Sequence, residues 1–322
     1  MPCDDYMLQG LPSLYYQVID YRMKILFLLS TNVWFDHLSG EQEAKALQLG
    51  FSLLGVQCDF ASIDAEDFSE YDMYVIFSMC PDVQEKIKFI DAHKKIIVVP
   101  QTEEYTDATL CQLAKSSCGM EYFYIVARND MESKFFSHVC LKKNIIYAAG
   151  WFVEPFVWNE EINSQPFSCY PDQDYVLSFV GDSLDEQSVS FFKKVAPPFK
   201  RVVISSQRCL DAYFSNASND GIEHRKLIKY GTEEWFSLLL NAKYYYEPNR
   251  WLTSAVLESF WLGGEVVSPH CEQINSLLNM PLLVSEEGAV SGIPKSKKRE
   301  HVSQFRVEHV ANGILNKING GN

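Results

Sequence analysis

Short apolar runs that alternate with longer helical patterns restrict this chain to a narrow set of folds. Between the first two runs, residues 40–54 carry apolar side chains at helical spacing. The runs of the first half occupy residues 25–29, 56–60, 74–77, 96–99, 122–126 and 145–147. Strands that are apolar on both faces and separated by helices form a parallel sheet with helices on both sides. The pattern therefore predicts an α/β fold.

The same alternation restarts after a polar stretch, residues 159–174, which contains two prolines and is predicted to be a linker. Further strands are predicted at residues 175–180, 201–204, 244–246, 265–267 and 282–284, with 226–229 as an additional candidate. Helices are predicted at residues 235–240, 252–262 and 307–318. The chain thus divides into two α/β domains, residues 23–158 and 175–322. Residues 1–22 precede the first strand and are interpreted as an N-terminal extension without an assigned role.

Charge and cysteine content narrow the classes of partner and compartment. With 28 basic and 42 acidic residues, the net charge is −14, and such a field repels nucleic acid and anionic membranes. The nine cysteines are scattered and form no C-x-x-C pair, which indicates free thiols in a reducing cytoplasm. The compact basic run, residues 295–299, is predicted to be a solvated loop. Peripheral contact with a membrane surface or nucleic acid is the alternative for that run.

Ligands of parallel sheets bind at the carboxyl ends of the strands, and with two sheets the natural site is the cleft between them. The strand at residues 244–246 leads into a loop containing Arg250, at the start of the helix predicted for residues 252–262. A guanidinium and backbone N–H groups at a helix N-terminus suit an anionic ligand. Glu258, further along that helix, can accept hydrogen bonds from a ribose diol. From the residues alone, solvated surface charges remain the alternative for Arg250 and Glu258.

The sequence LESFWLGGEVV, residues 257–267, resembles the donor-binding signature of GT-B glycosyltransferases, particularly the retaining family 4 type. In that resemblance Glu258 matches the second glutamate of the signature, which holds the ribose of a nucleotide-sugar. The first glutamate of the signature falls on Arg250. This departure implies changed contacts to the donor sugar, or an Arg250 that meets the donor diphosphate.

Other segments resemble the same family in order along the chain. Residues 176–182 resemble the strand that opens its C-terminal domain, with Gly181 at the glycine position and Asp182 where a basic residue is common. Residues 230–236 resemble the segment on which the nucleobase stacks, which places Tyr230 in the donor site. Ser254, at the start of the Glu258 helix, is assigned to the same site.

The acceptor site is expected at the strand ends of the first domain. Residues 38–43 resemble the family's glycine loop, which assigns His37 and Gly40 to this site. Glu103 and Glu104 follow a buried strand, so either carboxylate can bind an acceptor hydroxyl or act as a base. A solvated loop residue remains the alternative for each of them. Glu104 and Arg250 are the candidates for catalysis.

The resemblance implies two Rossmann-like domains that face each other across a cleft. It further implies transfer of a sugar from a nucleotide-sugar in the C-terminal domain to a hydroxyl of a glycan in the N-terminal domain. Retention of configuration, no metal and no cofactor are expected. Two alternatives stay open. One is a catalytically inactive GT-B-like binding or scaffold subunit; the other is a glycosyltransferase acting on modified DNA bases, which the net charge disfavours.

Overall fold

The computed structural model describes seventeen parts of the chain between residues 23 and 320. These are residues 23–29, 39–62, 69–77, 87, 89–91, 93–100, 120, 122–138, 141–154, 175–180, 190, 200–205, 211, 222–226, 233–249, 252–279 and 293–320. The predicted extension (1–22), linker (159–174) and strand at 282–284 lie outside the described residues.

The first half of the chain forms a parallel sheet of six strands in the order β2-β1-β3-β4-β5-β6. Its strands are β1 (Lys24–Leu29), β2 (Gln57–Ser62), β3 (Met73–Phe77), β4 (Lys95–Val99), β5 (Phe123–Ala127) and β6 (Ile145–Tyr147). Alternate residues of β1 enter opposite cores, Ile25 and Phe27 on one face and Leu26 and Leu28 on the other. Burial on both faces explains why these strands are continuously apolar.

Among the described residues of this half, helices α1 (Ser39–Leu53) and α2 (Asp130–Phe136) flank the sheet. Asn129 caps the start of α2, and its side chain accepts a hydrogen bond from the Glu132 backbone N–H at 2.9 Å. An asparagine at this position satisfies one of the backbone donors that a helix start leaves unpaired.

The second half forms a parallel sheet of five strands in the order β11-β10-β7-β8-β9. The strands are β7 (Tyr175–Val180), β8 (Lys200–Ser205), β9 (Ile222–Lys226), β10 (Tyr244–Tyr246) and β11 (Val266–Val267). In the described ranges, the helices that follow strand β7 and pack in this half are α3 (Glu233–Asn241), α4 (Ser254–Leu262), α5 (Cys271–Leu278) and α6 (Lys295–Val302). Strand β9 begins at Ile222, before the candidate strand at 226–229, because this edge strand is mostly charged and has no apolar run.

The last helix, α7 (Val307–Ile318), packs against the core of the first sheet, although it follows the elements of the second. A Cβ on Gly50 of α1 would lie 2.6 Å from the Val307 carbonyl oxygen, so the two helices are in close contact. The two segments that pass between the halves, one at Phe152 and one at Phe305–Val307, lie side by side. Phe152 donates its N–H to the Phe305 carbonyl at 3.1 Å, and its own carbonyl accepts from Val307 N–H at 2.9 Å.

The basic run at 295–299 belongs to helix α6, so the prediction of a solvated loop was wrong. Lys298 is 1% exposed, and its ammonium donates to the Gly264 carbonyl at 3.0 Å and to the Glu265 carboxylate at 2.5 Å. An aliphatic stem with a satisfied ammonium allows a lysine to be buried. None of the helices in the described ranges is long and apolar enough to cross a membrane.

Candidate functional site

The order of strands in the second sheet reverses between β7 and β10. From β7 the chain moves outward to β8 and β9, then returns to place β10 and β11 on the other side of β7. A reversal of this kind opens a crevice at the carboxyl ends of the two central strands, where ligands of doubly wound sheets bind. Strand β10 ends at Tyr246, so Glu247 lies at the edge of this crevice.

Glu247 has no exposed surface, and its two carboxylate oxygens are hydrogen-bonded to the loop that follows β10. Oε1 accepts from the backbone N–H of Asn249 at 2.9 Å and from its side-chain amide at 2.7 Å. Oε2 accepts from the hydroxyl of Thr253. Burial raises the pKa of Glu247 to about 7, although the Thr253 and Asn249 hydrogen bonds act in the opposite direction.

Tyr245 connects the two central strands across the crevice. Its side chain is fully buried, and burial raises its pKa well above the usual value, with the Glu247 and Glu258 carboxylates adding to the effect. Its hydroxyl donates to Glu247 and lies within hydrogen-bonding reach of the Phe179 backbone on β7. Strand β10, strand β7 and the loop after β10 are therefore joined at one point.

Glu258, the residue predicted to hold a ribose, lies on α4 and is fully buried. One of its oxygens accepts a hydrogen bond from the Trp235 indole Nε1 at 2.9 Å. The Trp235 ring in turn meets Phe179 edge to face, with ring centroids 5.9 Å apart. Two buried carboxylates, Glu247 and Glu258, thus lie near the carboxyl end of β7 and β10, held by uncharged donors.

Ser254, predicted to bind the donor, contacts the segment that crosses between the two halves. Its hydroxyl donates to the Trp151 carbonyl at 2.8 Å. Beside it, a Cβ on Gly150 would lie 2.5 Å from the Leu252 carbonyl oxygen, so only glycine fits there without a shift. These contacts attach the start of α4 to the end of the first half.

The first sheet also reverses its strand order, between β1 and β3, and α1 follows β1 on this side. Gly40 lies in the first turn of α1. Further along α1, Glu43 forms an ion pair of 2.9 Å with Arg128, which follows β5. The Glu43 carbonyl accepts from the Trp151 indole at 3.3 Å. This end of the first sheet is thereby linked to Trp151 and, through the Trp151 carbonyl, to Ser254.

Most of the predicted site residues lie outside the described residues. They are His37, Glu103, Glu104, Gly181, Asp182, Tyr230 and Arg250. Gly40, Ser254 and Glu258 are described, and their assigned roles stay predictions. Within the ranges that the structure covers, no three histidine, cysteine, aspartate or glutamate side chains gather to hold a metal ion. The expectation of chemistry without metal or cofactor also stays a prediction.

Sequence reasoning missed Glu247, Arg128 and Glu43. Glu247 follows a triple-tyrosine strand, and an acid at that point was a usable signal, because strand ends are where polar side chains meet a ligand. Arg128 follows the buried strand β5 in the same way. Glu43 gave no such signal, since it lies inside a helix and only its ion pair with Arg128 distinguishes it.

Comparison with known proteins identifies the fold through solved structures. No family model matches the chain, and no curated protein matches it. Among solved structures, AviGT4, a glycosyltransferase involved in avilamycin A biosynthesis, is similar with a TM-score of 0.58 at 10% identity, over 92% of this chain and 97% of that one. Anabaena HepE in complex with UDP and glucose is similar with a TM-score of 0.54 at 11% identity, over 92% and 100% of the two chains.

OtsA in its apo form is similar with a TM-score of 0.55 at 9% identity, over 85% of this chain and 76% of that one. The chain therefore has the GT-B fold of glycosyltransferases, in which two Rossmann-like domains with parallel sheets face each other across a cleft. This confirms the predicted fold class.

Proposed function

We propose that the protein is a glycosyltransferase that moves a sugar from a nucleotide-sugar to a hydroxyl of a glycan acceptor. The observation that carries this proposal is the buried cluster of Glu247, Tyr245 and Glu258 at the strand-order reversal of the second sheet. Burying two carboxylates in a core is costly unless they are hydrogen-bonded. Both are hydrogen-bonded by the protein, and their place at the crevice where a GT-B fold binds its donor supports a polar ligand site beside them.

The donor is assigned to the carboxyl edge of the second sheet. The match of residues 257–267 to the family signature supports Glu258 as the group that holds the ribose. Arg250 departs from the first glutamate of that signature, and a guanidinium at the start of a helix supports its assignment to the diphosphate. Tyr230 takes the nucleobase, while Gly181, Asp182 and Ser254 complete the donor site. HepE is described in complex with UDP-glucose, which makes UDP-sugars the first donors to test.

The reaction is assigned to the cleft and proceeds with retention, without a metal or cofactor. The bond between the anomeric carbon and the diphosphate breaks, and a bond to the acceptor oxygen forms. Arg250 neutralises the departing diphosphate, and Glu104 takes the proton of the acceptor hydroxyl. Gly40, His37 and Glu103 position the acceptor, which supplies most of the acceleration by orientation. Free thiols at Cys58 and Cys271 support a cytoplasmic setting.

A donor screen on the full chain tests this function. UDP-, GDP- and dTDP-sugars are each compared with the matching nucleoside for thermal stabilisation, and release of nucleoside diphosphate is followed. We expect one donor to raise the melting temperature and to be hydrolysed slowly by water in place of the acceptor. Stabilisation without hydrolysis would favour the binding or scaffold subunit. A folded protein that no donor stabilises would contradict a nucleotide-sugar site.

A further inference from the structure

We propose that Glu247 is a positioning residue that holds Asn249, Thr253 and the start of helix α4 in the arrangement that binds the donor. The inference deepens the proposed function and rests on it. Nothing in the family signature at residues 257–267 assigns a role to this residue. The geometry assigns it one, because a single side chain reaches both ends of the loop.

The two carboxylate oxygens of Glu247 divide between those ends. Oε1 accepts hydrogen bonds from the backbone N–H of Asn249 at 2.9 Å and from its side-chain amide at 2.7 Å, shortly after the strand. Oε2 receives the hydroxyl of Thr253, which is the residue that caps α4. The segment between these two anchor points includes Arg250, the candidate for the diphosphate.

Thr253 connects Glu247 to the helix itself. Its Oγ1 accepts a hydrogen bond from the Val256 backbone N–H at 3.3 Å, which satisfies one donor of the helix start. A hydroxyl has one proton and two lone pairs. With its proton given to Glu247, the oxygen presents a lone pair to Val256, so the carboxylate orients the cap and the cap orients the helix that carries Glu258.

The neighbours of Glu247 on other elements tie it to the crevice. Tyr245 of β10 donates to it, and the same hydroxyl lies beside the Phe179 backbone of β7. Glu258 of α4 is the other acid close to Tyr245. Glu247 is therefore attached to both central strands and, through Thr253, to α4, which are the elements that form the proposed donor site.

The test measures UDP binding by titration calorimetry on the full chain and on four variants. Glu247→Ala removes the acceptor for both ends of the loop, and Thr253→Val removes the hydroxyl at one end. Glu247→Gln keeps an acceptor oxygen for Asn249, and Thr253→Ser keeps the hydroxyl. We expect Glu247→Ala and Thr253→Val each to weaken UDP binding by roughly tenfold or more, and the conservative variants to recover most of it.

A matched control separates positioning from general loss of stability. Lys298→Ala removes another buried charged group from the same half of the chain, on α6. It lowers the stability of the fold and should leave the affinity for UDP unchanged. The double variant Glu247→Ala with Thr253→Val should have the same UDP affinity as whichever single variant binds UDP less tightly, because the two groups act as one unit. Hydrogen exchange at residues 249 and 253 of the unliganded protein should quicken in Glu247→Ala.

The outcomes separate the two proposals. If the parent binds UDP and Glu247→Ala binds it equally well, with unchanged exchange in the loop, the positioning role is wrong and the proposed function stands. If Lys298→Ala loses as much affinity as Glu247→Ala at equal loss of stability, Glu247 is a structural residue only. If the parent binds neither UDP nor any other nucleotide donor, the proposed function fails and the inference falls with it.

Discussion

The Trp235 indole donates its Nε1 proton to the Glu258 carboxylate across 2.9 Å, and both side chains are fully buried. The bond joins α3 to α4 beneath the edge of the second sheet. It also gives Glu258 a role in the fold that is separate from the ribose contact expected from the family signature. Variants of Glu258 can therefore distinguish the two roles.

Glu258→Ala should lower the free energy of unfolding by about 1–3 kcal/mol, because the Trp235 N–H loses a buried acceptor. Glu258→Gln keeps an acceptor oxygen and should lose less. Urea unfolding measures both. If the carboxylate also holds the ribose, both variants bind UDP more weakly, since the amide lacks the charge that strengthens those hydrogen bonds. A Glu258→Gln protein with parental UDP affinity would contradict the ribose contact.

The raised pKa of Glu247 makes stability depend on pH. Burial lifts it from 4.5 to about 7, so between these values the folded state holds a proton that the unfolded chain has released. Stability therefore falls as pH rises through this window, by roughly 3 kcal/mol for the whole window. Glu247→Gln cannot titrate and should lack this component. Urea unfolding of the parent and of Glu247→Gln across this pH window tests the prediction. Parallel curves of stability against pH would show that the pKa of Glu247 is not raised.

Two glycines in helices test how α7 packs on the first half. Gly50→Ala places a Cβ 2.6 Å from the Val307 carbonyl oxygen, and should destabilise the fold by about 1–3 kcal/mol through overpacking. Gly313→Ala is the control, because no heavy atom lies within 4 Å of its Cβ. There the gain in helix propensity should stabilise by up to about 1 kcal/mol. Equal effects in thermal unfolding would argue against close packing of α7 on α1.

Adjacent lysines test the burial of the basic run. Lys298→Ala removes one partner of a buried ion pair with Glu265 and should cost about 3 kcal/mol. Lys297→Ala, one position away on an exposed part of α6, should change stability by less than about 0.5 kcal/mol. Chemical denaturation of the two variants gives the comparison. A small effect at both positions would mean that the run is solvated after all.

Much of the fold was predictable from the pattern of apolar residues, and the predictions that were wrong have physical reasons. The strand at residues 74–77 was predicted almost to its bounds, because β3 is buried on both faces. Strand β9 was misplaced because it lies at the sheet edge, where Glu223 pairs with Lys200 and Arg225 instead of entering a core. An apolar helix face does not reveal which sheet it covers, so the packing of α7 on the first half was not predictable.

The candidate site was predictable only where a local signature exists. Glu258 was found because its neighbours in sequence match a known motif, which says nothing about its bond to Trp235 on another helix. Glu247 was overlooked because its interest comes from complete burial and from a contact with Thr253, six positions on. Both properties arise only in the folded structure, and the signal that the sequence did offer was the position of Glu247 directly after a strand.

The most direct test of a retaining glycosyltransferase is proton NMR of a nucleotide-sugar incubated with the full chain and no acceptor. Water then replaces the nucleoside diphosphate at the anomeric carbon, and the anomeric signal of the released sugar reports its configuration before mutarotation. We predict slow release of a sugar that first appears with the configuration of the donor. Inverted sugar would contradict retention, and a folded protein that releases no sugar from any UDP-, GDP- or dTDP-donor would contradict the proposed activity.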